Sequence, residues 1–362
     1  MQKDMHYYGT YVMARSTGIS PIKAQVIASA AQFVDDNATK KSLEFKDGGA
    51  LHSRASAHHA FNLKNLDKED QRLIWVPFHF LPGNVAGGNF SKRLVCLKDS
   101  VLAREMVNNH LAQNEDFSDE LMGVAAHVYA DTFSHYDFSG ISSRHNRIEN
   151  DSFEFDLEKH KPETIKYIKK KQHDFMRNYP EDSGLIENIK SWFAENLSGA
   201  LGHGAACTFP DRPYLKWRYI YEETGKHCAW RDNHATFLEG CEALHGMFVK
   251  YTQKKSGLTD RDPIPFNNIK NAVSEILAFE GPEKERSNKW IEAVSQKAIF
   301  GSNEPFPDYL GKEWLDKKAK MHGNDDSHGA LNSPLYRFYQ ATSYHRHYVL
   351  RDLLPKKSLV VA

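Results

Sequence analysis

The chain has 362 residues, with 47 Lys plus Arg against 47 Asp plus Glu and a formal net charge of zero. That balance argues against a protein built to track long duplex nucleic acid, which needs a basic excess, while 40 % hydrophobic and 12 % aromatic residues exclude wholesale disorder. No apolar run approaches the ~20 residues of a membrane span, and Met1 to His6 lack the apolar core of a signal peptide, so a cytoplasmic location is expected.

The pattern predicts an all-α fold, a multi-helix bundle with a helical C-terminal extension. A short helix from about Asp4 to Ser16 ends at Gly18. Ser20-Pro21, an N-cap followed by proline at the first helical position, opens a second helix. Its Ile22, Val26, Ile27, Ala30, Phe33 and Val34 recur at helical spacing up to Asp35-Asp36. Residues 38–70 are irregular and polar, suited to surface loops or one short hairpin. In 76–90, aromatic, His, Pro and Gly residues alternate, which suits a loop that lines a site. Residues 91–113 put Leu94, Val95, Val101, Leu102 and Val107 on one face. Ser118, with Asp119 and Glu120 behind it, caps a helix whose apolar face includes Leu121, Val124, Ala125 and Val128. Residues 136–160 are again irregular, and Pro162 opens a basic helix with Ile165 and Ile168. Further helices are expected at about 184–202, 233–252, 267–279, 283–299 and 334–353. Lys254 to Phe266 reads as a linker. The expected organisation is a metal-binding helical domain over 1–253, a linker over 254–266 and the extension over 267–362.

The chemistry concentrates in the 19 histidines. The four cysteines, Cys96, Cys207, Cys228 and Cys241, show no C-x-x-C spacing and suit a reducing compartment. The sharpest pattern is His127, Asp131 and His135, spaced four residues apart. At about 100° per residue they fall within about 80° of one helical face, each about 6 Å of rise from the next. Imidazole, carboxylate, imidazole in that order can converge on a metal, and the central carboxylate can bridge two ions. Apolar neighbours imply burial, where unpaired imidazole and carboxylate groups are costly. Other segments offer further ligands: Asp4 and His6 in the first helix, Asp35-Asp36 at a helix C-terminus that disfavours acids unless a cation is near, His58-His59 and His79 in loops, and His203 with Asp211. Lys216, Arg218, Arg144 and Arg231 are candidates for phosphate contact. Cys207 near His203 is a weak thiol-nucleophile signal.

That order of ligands resembles the zinc-dependent phospholipase C and S1/P1 nuclease superfamily, all-helical enzymes with three zinc ions. The phrases MHYYGTYVMAR, AQFVDD, PFHFLPG, GVAAHVYADTFSHYDFSG and LGHGAA-x2-FPD-x-P are also similar to bacterial proteins of unknown function. The resemblance covers about residues 4–215. It implies a first zinc on His127 and one of Asp35 or Asp36, completed by His58 or His59. It implies Asp131 as a bridge to an ion on His6, and a remaining zinc on His135, His203 and Asp211. The superfamily spaces its helical motif H-x3-D-x5-H and its final pair H-x3-[DE]; here the first is H-x3-D-x3-H, and Cys207 stands four residues after His203. In that superfamily a terminal amine freed by signal cleavage is also a ligand; with no such signal here, Asp4 is expected to replace it.

The expected function is therefore metal-dependent hydrolysis of phosphate esters, of the phosphodiester class, by metal-activated water. The cofactor is two or three Zn2+ ions, with Mn2+ or Fe as alternatives. Asp131 is the bridging carboxylate, and Asp35 or Asp36 is a ligand or the base that orients the nucleophile. Expected partners are a phosphate-containing small molecule, a lipid head group or short single-stranded nucleic acid. Two rivals stand beside this reading: a di-metal enzyme acting on a non-phosphate substrate, and a binding or assembly protein with a structural metal, making its protein contacts through residues 255–362.

Overall fold

The amino-terminal segment begins as a π-helix over Asp4–Gly9 and continues as α1 (Thr10–Ser16). It stops at Gly18, whose φ of +90° lies in the left-handed region that glycine enters freely. π-Helical turns are rare and recur at functional sites; this one carries His6. In α2 (Pro21–Asp36) the proline holds the first helical position, where its missing N–H costs nothing. Ala24, Ile27, Ala28 and Ala31 of α2 face one apolar core and Ala30, Phe33 and Val34 another, while Ile22 in the first turn is 74 % exposed. These features belong to a computed structural model that describes residues 1–38, 42–58, 68–149, 152–177, 201–202, 206–323, 325–331 and 333–361, with backbone alone for 172 and 174–177.

Residues 91–113 form two elements instead of one helix. Phe90–Arg93 is a single turn, Asp99 takes a φ of +48°, and α3 (Val101–Leu111) starts where Ser100 caps it by accepting from the Ala103 amide. Next, α4 (Ser118–Asp131) packs across α2. Gly123 permits the approach: a Cβ there would stand 2.3 Å from the Ile27 carbonyl oxygen and 2.6 Å from the Ala30 Cβ. This crossing brings the last turn of α2 beside the last turn of α4.

The later helices are α5 (Pro162–Arg177), α6 (Asn233–Lys254), α7 (Phe266–Leu277), α8 (Glu283–Ser295), α9 (Gly311–Ala319) and α10 (Pro334–His347), the last continuing as a π-helix over Tyr348–Leu353. The helix expected at 184–202 lies almost wholly outside the described residues. The connection between α6 and α7 falls where a linker is expected, yet the helices beyond it do not form a separate body. Ile269, Val273, Trp290, Val349 and Leu353 share one core with Tyr11, Ile27 and Met122.

The expectation of a purely α-helical chain needs correction. Seven strands of two or three residues occur among the described residues. β1 (Leu43–Glu44) and β2 (Ala50–Leu51) make an antiparallel hairpin. β3 (Glu154–Phe155), β4 (Lys216–Arg218) and β7 (Arg231–Asp232) form a three-stranded sheet, and β5 (Ile220–Tyr221) pairs with β6 (Lys226–His227). Such short strands carry no readable two-residue period; an aromatic cluster of Phe155, Phe209, Trp217 and Tyr219 holds β3 and β4. Buried Arg231 ties this sheet to the end of α4, its guanidinium 3.7 Å from the Tyr136 ring centroid and donating to the Ser134 and Tyr136 carbonyls. Among the described residues no helix is long and apolar enough to cross a membrane.

Candidate metal centre

Because α4 ends at Asp131, the three motif residues do not share one helical face. His127 and Asp131 are one turn apart, with Nε2 and Oδ2 separated by 3.2 Å. The chain then turns tightly, the His135 amide donating to the Asp131 carbonyl at 2.8 Å. His135 still reaches the cluster, its Nδ1 lying 3.4 Å from Asp131 Oδ2.

His79 completes the group from another direction. It comes directly after the short turn Val76–Phe78, and its Nδ1 stands 3.2 Å from His127 Nε2 and 3.4 Å from Asp131 Oδ2. These three atoms form a nearly equilateral triangle. A tetrahedral zinc with ligands at about 2.0–2.1 Å has ligand–ligand edges of about 3.3–3.4 Å. The donor set therefore fits one face of such an ion. Asp35 offers Oδ1 nearby, 3.7 Å from His79 Nδ1 and 3.9 Å from His127 Nε2.

Both carboxylates also turn toward a second position. Asp131 Oδ1 lies 3.2 Å from His6 Nε2, and Asp35 Oδ2 lies 3.9 Å from the same nitrogen. The His6 ring stacks on His127 with centroids 3.9 Å apart. The α-amino nitrogen of Met1 is buried here too, 2.7 Å from Asp131 Oδ1, 3.2 Å from Asp211 Oδ1 and 3.3 Å from His135 Nε2. Asp211 Oδ1 in turn lies 3.0 Å from His135 Nε2.

Three imidazoles are tied by their outer nitrogens. His127 Nδ1 donates to the Ala31 carbonyl, His79 Nε2 to the Ser56 carbonyl and His135 Nδ1 to the His79 carbonyl, each at 2.9 Å. In a neutral imidazole this leaves the other nitrogen as a lone pair aimed inward, the usual support of a metal-ligating histidine. Both ring nitrogens of His6 and Oδ2 of Asp131 are buried without a hydrogen-bond partner. Buried polar groups in that state require an explanation, and these atoms could ligate a cation.

The buried charges of the cluster act strongly on one another. Burial alone would raise the Asp131 carboxyl, but His135, the Met1 ammonium, His127 and His6 around it hold it well below the usual carboxylate range. Burial works against charge on the Met1 amine, yet Asp131, Asp211 and Asp35 push it up to about 11. His6 falls well below the ordinary imidazole value, from burial and then from its cationic neighbours. Nearly all these groups are buried; the Asp35 side chain, 33 % exposed, marks the solvent edge.

Among the expected ligands, His6, Asp35, His79, His127, Asp131, His135 and Asp211 come together. Asp4 does not replace an amine: Arg286 binds it at 2.7 and 3.1 Å in a buried pair, while the Met1 amine itself sits in the cluster. Asp36 points away from its neighbour and accepts from Gln32 Nε2 and the Tyr309 hydroxyl. His58 pairs with Asp70 at 3.1 Å, and among the expected loop histidines it is His79 that lies beside His127 and Asp131. His59 and His203 lie outside the described residues. Loop histidines close in sequence cannot be ranked without the fold that brings one of them to α4. The Met1 ammonium, donating to Asp131, is not expected from sequence, and the carbonyl tethers behind the imidazoles leave no signal there.

Three of the four cationic candidates serve the scaffold. Lys216 pairs with Asp156 at 2.7 Å, Arg218 pairs with Glu154, and Arg231 lies buried beneath the sheet; Arg144 is exposed. Burial pushes the Cys207 thiol up to about 12, which disfavours the thiolate a nucleophile needs. All four cysteines are buried and unbridged.

Residues 1–353 match a family of unknown function, DUF6765, and the chain belongs to that family. No curated protein and no solved structure matches it.

Proposed function

We propose that the protein is a metal-dependent hydrolase of phosphate esters, of the phosphodiester class. The observation that supports this best is the His79–His127–Asp131 triangle, with each imidazole tied at its outer nitrogen to a backbone carbonyl. His79 Nδ1, His127 Nε2, Asp131 Oδ2 and Asp35 Oδ1 would hold one ion; His6 Nε2, Asp131 Oδ1 and Asp35 Oδ2 a second; His135 and Asp211 belong to a third position. Zinc suits these nitrogen and oxygen donors, with manganese or iron as alternatives. Ions held there would lower the pKa of water and neutralise charge on a phosphoryl group.

The chain's own residues divide the remaining work. Asp131 keeps two positions at a fixed separation through its two oxygens, and the carbonyl tethers keep His79, His127 and His135 in one tautomer. Asp35, at the solvent edge, would close both positions with its two oxygens or, where one oxygen stays unbound, take a proton from an attacking water through it; Asp36 is engaged elsewhere, accepting from the Tyr309 hydroxyl. The aromatic wall of Trp75, Phe80 and His135 packs beside His79 and keeps bulk water from that side.

Elemental analysis of unchelated protein, paired with a panel of phosphodiesters, tests the reading. Two or more equivalents of zinc with turnover lost in chelator and restored by zinc is the expected result. Fully loaded protein that is inert on lipids, nucleotides, single-stranded nucleic acid and generic phosphodiesters counts against it. Iron or manganese in place of zinc, together with no phosphodiester turnover, would favour the non-phosphate di-metal rival.

A further inference from the structure

The part of the chain that the superfamily resemblance does not reach contains a second device aimed at the cluster. Arg346, near the end of α10, is only 8 % exposed, and no carboxylate lies within ion-pair distance of it among the described residues. A buried guanidinium is expensive unless its donors are satisfied. Here they go to backbone carbonyls: Nε donates to Leu73 at 2.9 Å and Nη2 to Ala55 at 2.5 Å. The guanidinium also lies 5.1 Å from the Phe78 ring centroid.

Those two carbonyls belong to the two segments that meet at His79. Leu73 lies in the π-helix Gln71–Trp75, and the Trp75 carbonyl accepts from the amides of His79 and Phe80 at 3.1 and 2.9 Å. Ala55 precedes Ser56, whose carbonyl takes the His79 Nε2 proton. Ser56 is itself fixed to the end of α2, its hydroxyl donating to the Val34 carbonyl at 2.8 Å and its amide to the Asn37 carbonyl at 3.0 Å. Asp35 stands between those two residues. The next residue back on α10 grips the same region, His345 Nε2 donating to the Pro77 carbonyl at 2.8 Å.

We propose that Arg346 is a positioning residue of the cluster: its fork joins the Ala55 and Leu73 carbonyls, sets the Ser56 carbonyl beneath His79, and so holds the His79 ring with Nδ1 toward Asp131. This rests on the metal reading above for its consequence, and on geometry alone for its mechanism. Lysine cannot reproduce the fork, because a single ammonium is not a planar pair of donors. Removing a partner behind a ligating histidine typically weakens metal affinity about 10–100-fold; one step further back, roughly tenfold is expected for Arg346→Gln.

The test uses full-length protein labelled with 15N-histidine. Metal-free wild type should show His79 as the Nε2–H tautomer, and Arg346→Gln should show a tautomer mixture, with zinc affinity lower by roughly tenfold in competition with a chromophoric chelator. Circular dichroism and Tm establish that the variant is folded at the temperature used. A folded Arg346→Gln protein with an unchanged His79 signature and unchanged zinc affinity overturns the proposal. If Arg346→Gln does not fold, Arg346→Lys decides by the same two readouts, with smaller changes in the same direction expected. Wild type that binds no zinc sinks the metal reading, while the His79 signature still reports on its own whether Arg346 sets the ring.

Discussion

His127 faces Asp131 across one turn of α4, Nε2 to Oδ2 at 3.2 Å, and its other ring nitrogen donates to the Ala31 carbonyl of α2 at 2.9 Å. One side chain thus belongs to both helices. Replacing it removes an inward lone pair and frees a buried carbonyl at once. If the proposed metal-dependent activity holds, His127→Ala should lower phosphodiester turnover by several orders of magnitude, because an ion there would lose an imidazole ligand. Helicity should change little, because alanine favours the helix. Steady-state kinetics and circular dichroism on the same sample check this; normal turnover with normal metal content would reduce the motif to a buried polar contact.

Asp131 and Asp211 differ in what they serve. Asp131 spans the positions facing His79, His127 and His6, whereas Asp211 contacts His135 and the Met1 amine. Asp131→Asn should therefore lose more zinc than Asp211→Asn when both are counted by elemental analysis. Equal loss would show that the two ends of the cluster are filled together.

His79 and His58 sit in the same region of sequence but have different partners. His79→Ala should weaken zinc binding about 10–100-fold, while His58→Ala should leave affinity near wild type, since His58 pairs with Asp70. Chelator competition separates the two. The reverse order would restore His58 as the ligand.

Gly123→Ala tests the crossing that assembles the site. Alanine gains roughly 1 kcal/mol over glycine in helix propensity, but its Cβ would meet the Ile27 carbonyl at 2.3 Å. Overpacking of this kind costs about 1–3 kcal/mol or more. A lower Tm together with weaker zinc binding is expected, because separating α2 from α4 moves Asp35 away from Asp131. A higher Tm would show that the helices part without loss.

Stability should fall in mild acid through His345. Burial, opposed by its bond to the Pro77 carbonyl and aided by Arg346, lowers this imidazole to about 4. It donates from Nε2 to Pro77 and therefore accepts at Nδ1 from His110 Nε2, 2.9 Å away. The unfolded chain takes up a proton near pH 6.5 that the folded chain refuses until about pH 4, so the contribution is complete above 6.5 and lost as pH falls through that window. The group is worth at most about 3 kcal/mol. Denaturant midpoints at pH 7.5 and 5 should differ less in His345→Gln than in wild type; an equal difference would place the acid sensitivity elsewhere.

Most helices were legible because long apolar repeats and proline starts are local properties: α2, α4, α6, α7 and α10 begin within a residue or two of where their patterns place them. His127 and Asp131 were legible for the same reason, since one turn of helix fixes their separation whatever surrounds it. The short strands were not, because two or three residues carry no period and are held by aromatic packing from distant segments. Nor was it visible in one dimension that His79 and not His58, and Asp35 and not Asp36, lies beside His127 and Asp131. Those placements depend on the angle at which α2 crosses α4 over Gly123, and on carbonyl groups of Ala31 and Ser56 that no side-chain pattern encodes. Sequence alone determined which residue types able to ligate a cation were present and which two lay one turn apart. The tertiary structure decided which of the others reach them, because ligand convergence is set by packing between helices and loops far apart in the chain.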